Sequence, residues 1–248
     1  MNKIYIIIVF VQIILLTAGC NKNDNPAQQN DNTFQYPQSK IWAHKANDTI
    51  TAKTKAAKFD GLEVDVIYSD SANELYVGHN EEDTINNLTL KEWFESLDNP
   101  SHNCYWIDLK TLNTDNADAI GDKLVETLLS FDILNKTIIE NYSWEGLNIL
   151  KKKGLHVLLW VDSLIWSNLD SAAIIKATKE KIKNLSPDAI SCEYHMFPLL
   201  TDSFPEQNIH FWHTPAKLND ENAEITRQLC RNKSVKVVLV DYDEPIDY

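Results

Sequence analysis

The sequence predicts an α/β protein, a single (β/α)8 TIM barrel of parallel strands. Three observations carry this. Short apolar runs alternate with helix-period segments along most of the chain. The main strand runs lie near residues 42, 64, 107, 139, 158, 190, 211 and 238, nearly all separated by a helix. These runs are continuously apolar, as expected of a parallel sheet covered on both faces, and eight such units in ~200–250 residues suit a closed barrel. A doubly wound open sheet is the alternative. It usually carries a Gly-rich phosphate loop after its first strand, and none is present.

The elements follow in order. Lys40 to His44 reads as a short strand, Thr49 to Lys58 as a helix, Gly61 to Tyr68 as a strand and Glu74 to His79 as another short one. Thr89 is a good N-cap for a helix over Leu90 to Leu97. A strand over Cys104 to Lys110 precedes a helix over Asn116 to Phe131, with Ile120, Leu124, Leu128 and Phe131 on one face. Thr137 to Asn141 is a strand, and Ser143 caps a helix to Lys152 that ends at Gly154. The alternation closes with strands over Leu155–Val161, Ala189–Glu193, Ile209–His213 and Val235–Asp241, and helices over Ser171–Asn184 and Asn219–Arg231.

The start of the chain has another character. Met1-Asn2-Lys3 is followed by an apolar run from Ile4 to Leu16 and by Thr17-Ala18-Gly19-Cys20. This layout is that of a secretory signal over 1–19, too short for a membrane span. It resembles a bacterial lipoprotein signal with Cys20 as the acylated residue, although Leu16 sits one place early. Residues 20–38 are rich in Asn, Asp, Gln and Pro and read as a disordered tether. The barrel is expected over 39–248, lipid-anchored in the bacterial cell envelope outside the cytoplasm, in contact with membrane through the anchor only, and monomeric.

At 44% hydrophobic and 24% charged, the composition is that of a globular protein. The formal net charge of -13 disfavours nucleic acid polymers and anionic head groups as bulk partners. The only arginines are Arg227 and Arg231, so an anion site near the front must use Lys. Cys104, Cys192 and Cys230 have no metal-ligand spacing and read as buried thiols. One disulfide with an odd thiol is the alternative.

Four stretches carry chemistry: Ala43-His44-Lys45-Ala46-Asn47, Glu63-Val64-Asp65, Gly78-His79-Asn80 and Asp108-Leu109-Lys110. Each ends a strand run, and barrel active sites lie at the C-terminal strand ends. Residues two apart on a strand share a face, so Glu63 with Asp65 and Asp108 with Lys110 converge on one mouth. Burying these groups without a purpose would be costly.

The order H-x-x-N, E-x-D, a His after a short strand, then D-x-K resembles the phosphodiesterase barrel superfamily. That superfamily includes glycerophosphodiester phosphodiesterases, sphingomyelinase-D-like phospholipases and menorin-type proteins. The resemblance is strongest from Ile41 to Thr111. Lys45 stands where glycerophosphodiesterases generally have Arg, and Asp108 where they have Glu. Asn47 and the D-x-K lean toward the other two branches, and Trp42-Ala43-His44 with Asn87-Leu88-Thr89-Leu90-Lys91-Glu92-Trp93 toward the menorin type.

The resemblance implies a metal-dependent phosphoric diester hydrolase acting on a small or lipid-derived diester. Glu63, Asp65 and Asp108 would bind one divalent cation, Mg²⁺ or Ca²⁺, through oxygen ligands. His44 and His79 would form the acid/base pair. Lys110, with Lys45, Asn47 and Trp212, would complete the substrate site, Asn47 orienting His44 or a metal-bound water. The family often uses a substrate hydroxyl as the attacking group and so forms a cyclic phosphate. Trp160, Asp162, Glu193, His195, His213 and Asp241 are further strand-end candidates. Two other readings stay open. One is a secreted glycoside hydrolase using Glu140 and Glu193, and the other is a non-catalytic ligand-binding barrel lipoprotein.

Overall fold

A computed structural model describes residues 33–80, 87–215 and 217–248. The signal segment, Cys20 and most of the tether lie outside the described residues. The strands are β1 (Ile41–Ala43), β2 (Gly61–Ser69), β3 (Glu74–Val77), β4 (Cys104–Leu109), β5 (Thr137–Asn141), β6 (His156–Trp160), β7 (Ala189–Glu193), β8 (Ile209–Trp212) and β9 (Val235–Val240). The sheet runs β1-β9-β8-β7-β6-β5-β4-β2-β3, and β1 also pairs with β2. That pairing closes a barrel of eight parallel strands, as predicted. β3 stands outside the ring as an antiparallel hairpin partner of β2, Val77 opposite Val66.

Alternation along the strands divides the apolar residues into two cores. Ile41, Val64, Ile107, Ile139, Leu159, Ile190, Phe211 and Val238 face outward and pack under the helices. Trp42, Trp106, Ile138, Leu158, Ala189, Val237 and Leu239 fill the barrel interior. Each large apolar side chain buried this way contributes about 1.5–3 kcal/mol. Toward the C-terminal ends the inward positions change character: Asp65, Asp108, Glu140, Trp160, Glu193 and Trp212.

The helices are α1 (Thr49–Ala56), α2 (Leu90–Ser96), α3 (Ala117–Ser130), α4 (Trp144–Lys152), α5 (Ser171–Leu185), α6 (Phe197–Ser203) and α7 (Asp220–Arg231). Thr89 and Glu92 form a reciprocal capping box on α2, and Ser143 caps α4 through the Gly146 N–H. α3 buries Ile120, Leu124 and Leu128. α6 was not expected, because seven residues with Pro198 in the first turn leave too short a period to read.

Phe34, Gln35 and Tyr36, ahead of the first strand, pack against the barrel. Phe34 is buried beneath the barrel, edge-on to Tyr36 and to His156. The Tyr36 hydroxyl lies 3.0 Å from His210 Nε2, and the Gln35 N–H donates to the Asn135 carbonyl. The polar composition around them hid two aromatic anchors that close the floor. Cys104, Cys192 and Cys230 are all free and buried.

Gly61 begins β2 against the face of Trp42. A Cβ there would lie 2.1 Å from the indole. Gly61→Ala must therefore displace a fully buried ring, and a loss of about 1–3 kcal/mol is expected in urea unfolding. An unchanged midpoint would show that Trp42 has room to move.

Candidate active site

The four sequence stretches meet at the C-terminal mouth. His44 follows β1, with its N–H donating to the Val240 carbonyl. β2 brings Glu63 and Asp65 to the inner face, and parallel register sets Asp65 beside Asp108 and Asp108 beside Glu140. The β2–β3 hairpin returns the chain to the mouth, where the Gly78 N–H donates to the Asp65 carbonyl and sets His79 at the rim. Carboxylate oxygens of Glu63, Asp65 and Asp108 lie within 4.8 Å of one another. They open on a cavity of about 570 Å³ lined also by His44, Lys45, His79, Lys110, Glu140, Trp106, Trp160, Trp166 and Trp212.

So many acids close together repel one another, and burial raises the cost. Burial first, then Asp65 and Asp108, hold Glu63 well above the usual carboxylate range. Burial also works against the charged form of Asp65. Lys110, 2.7 Å from Asp65 Oδ1, outweighs it together with Asn47 and His79, so that Asp65 titrates below its ordinary value. Lys110 also bonds Asp108, where burial prevails and the carboxyl is raised. Glu140 is pushed up to about 8, by burial and then by Asp108, although Ser191 and Trp106 both donate to it.

Neighbouring groups hold the acids in place. Asn47 donates to Asp65 Oδ2 at 2.7 Å and accepts from the Asp65 N–H at 2.9 Å. The loop after β1 turns the Asn47 amide toward β2, so that it grips Asp65. Lys45 adopts a left-handed backbone, φ 52°, and its N–H donates to Glu63 Oε2 at 2.7 Å. A non-glycine residue there costs about 1–2 kcal/mol, offset here by a hydrogen bond to a buried carboxyl oxygen.

The histidines flank the acids. His44 Nε2 is 3.8 Å from Glu63 Oε2, and His79 Nδ1 is 3.4 Å from Asp65 Oδ2. His44 Nδ1 lies 2.7 Å from Asp241 Oδ1. Asp241 follows β9, the strand paired with β1. The sequence placed it near the mouth; only the closed ring shows it as the partner that orients His44.

One buried carboxylate oxygen of the set, Glu63 Oε1, has no hydrogen-bond partner among the described residues. An unpartnered acid oxygen inside a set of three carboxylates is what a hard cation satisfies, so the donor set fits a divalent metal. Lys110 neutralises the Asp65 and Asp108 side of the set and leaves the Glu63 side open.

The later strand ends divide. Trp160 and Trp212 meet edge to face at 5.9 Å on the cavity wall. Glu193 and His195 line an adjoining pocket of about 260 Å³. Glu193 accepts there from Ser163 at 2.5 Å and from the Trp166 indole at 3.0 Å. His213 sits against Thr226, its pKa lowered to about 4 by burial and then by His195. Asp162 pairs with Lys181. Glu140 and Glu193 thus serve different cavities, and both oxygens of each are engaged by donors.

No family model matches the chain, and no curated relative does. Solved structures do resemble it. A glycerophosphodiester phosphodiesterase from Parabacteroides distasonis superposes with a TM-score of 0.59 at 11% identity, over 84% of this chain and 94% of that one. An Oleispira antarctica phosphodiesterase, in complex with the product sn-glycerol-3-phosphate, gives 0.61 at 14% identity over 84% and 94%. A chitinase domain from Pyrococcus furiosus gives 0.53 at 10% identity over 84% and 85%. At such identities the likeness establishes the barrel fold alone.

The raised acids predict a pH dependence. Folded Glu140 keeps its proton up to about pH 8, whereas the unfolded chain releases it in the ordinary carboxyl range. The folded state binds more protons between those limits, so stability falls as pH rises toward 8. Glu63 adds to the same trend. Melts of Glu140→Gln without added divalent cation should show a shallower decline from pH 5 to about 9, and parallel curves would refute the assignment.

Proposed function

We propose that the protein is a metal-dependent phosphoric diester hydrolase acting by histidine acid/base catalysis. The observation that carries this is the arrangement at the mouth: three clustered carboxylates, one with an unpartnered buried oxygen, and a lysine beside them, between two histidines. The fold shared with phosphodiesterase barrels supports it. Glu63, Asp65 and Asp108 would hold one Mg²⁺ or Ca²⁺, which when bound neutralises a non-bridging phosphate oxygen.

The chain's own groups do the rest. His44, with Nδ1 held by Asp241, presents Nε2 to the cavity as the proton acceptor for the attacking hydroxyl, and Asp241 stabilises the resulting imidazolium. His79, more exposed and beside Asp65, is the proton donor to the leaving oxygen. Lys110 keeps Asp65 ionised and adds positive charge near the phosphate; Lys45 at the rim adds another. The walls of Trp160, Trp166 and Trp212 take the apolar part of the diester. The glycosidase reading needs Glu140 and Glu193 facing one substrate, and their separate cavities speak against it. We place the barrel outside the cytoplasm, anchored through Cys20.

Hydrolysis of bis(4-nitrophenyl) phosphate tests this. Activity should vanish with a chelator and return with Mg²⁺ or Ca²⁺. His44→Ala and His79→Ala should each cost about 10²–10⁴-fold in kcat, and Asp241→Asn less than His44→Ala. Full activity in Glu63→Gln would refute the metal set.

A further inference from the structure

The loop joining β6 to α5, residues 161–170, carries apolar side chains that nothing among the described residues covers. Leu164, Ile165, Trp166 and Leu169 are 46%, 55%, 75% and 42% exposed. Three are consecutive, whereas the other exposed aliphatic residues, Ile50, Leu129 and Leu218, stand singly. Tyr142 and Trp160, both exposed, continue the patch, their rings 6.4 Å apart. A contiguous exposed patch of this kind marks an interaction surface.

The loop is also held in shape. Buried Glu193 gives one oxygen to the Ser163 hydroxyl and the other to the Trp166 indole. The Ile165 N–H donates to Ser163 Oγ at 3.0 Å, and both the N–H and the hydroxyl of Ser167 bond the Ser163 carbonyl. A buried carboxylate thus fixes a loop whose Leu164, Ile165 and Leu169 side chains stay exposed. Packing does not explain that expenditure, because the held residues contribute little to the core.

We propose that this loop docks the barrel mouth onto a zwitterionic phospholipid surface. The inference rests on the phosphodiesterase reading, since the patch rims the cavity and its occupant should present a phosphodiester there. A bilayer offers both an apolar interior and a layer of phosphodiester head groups. Tryptophan and tyrosine suit that boundary, with an apolar body and a polar tip. Charge selects the lipid: the chain carries a net charge of -13, and the loop itself holds Asp162, paired with Lys181, and Asp170 but no basic residue, so anionic head groups are not attracted. Docking is accordingly insensitive to salt.

Vesicles of phosphatidylcholine with brominated acyl chains test this on the full chain. All seven tryptophans lie at or after Trp42, so the apolar run Ile4–Leu16 adds no signal. Emission should be quenched relative to unbrominated vesicles, equally at low and high salt. Leu164→Ser/Ile165→Ser/Leu169→Ser should lose most of the quenching while hydrolysing the soluble diester at the wild-type rate. Hydrolysis without quenching in the wild-type chain would overturn the docking alone, and quenching without hydrolysis would support docking and refute the enzyme. Unchanged quenching in the variant would overturn the loop's role. So would self-association lost in the variant, with no quenching in either.

Discussion

The mouth of this barrel is organised around a concentration of negative charge that an apolar interior does not tolerate unaided. Glu63, Asp65, Asp108 and Glu140 come from three neighbouring strands in parallel register. Like charges side by side on adjacent strands repel, and burial removes the water that would screen them. The surroundings respond as electrostatics requires. Lys110 bridges Asp65 and Asp108, Glu140 holds its proton, and Glu63 is left with one oxygen unsatisfied. That unsatisfied oxygen gives a cation a reason to bind.

The rest of the mouth follows from keeping those acids in place. Asn47 grips Asp65 from both sides, and Lys45 accepts a left-handed backbone to aim its N–H at Glu63. Asp241 turns His44 so that one ring nitrogen is committed and the other faces the cavity. Each of these groups comes from a loop after a strand, where short connections vary without disturbing the ring. Below, Trp42 and Trp106 fill the interior and give the acids a rigid floor.

Much of this was legible in the sequence. The eight strands were readable because both faces of a parallel barrel strand are covered, which leaves unbroken apolar runs. The inward direction of Glu63, Asp65, Asp108 and Lys110 followed from two-residue periodicity alone. Thr89 and Ser143 announced their helices by local capping chemistry. α6 was hidden because seven residues after Met196 make fewer than two turns, too few to show a period. Phe34 and Tyr36 were hidden because composition was read over a window, and two aromatics among polar residues do not move its average.

What the sequence by itself determined is the strand pattern and which side chains turn inward, because both depend on neighbours one or two residues away. What only the tertiary structure decided is pairing across the closed ring. Asp241 meets His44 from 197 residues along the chain, and Glu193 at the end of β7 meets Trp166 in the loop after the neighbouring β6. Asn47 reaches Asp65 on the neighbouring strand for the same kind of reason. The partner of a side chain at a barrel mouth is set by register and closure, long-range quantities that local periodicity does not contain.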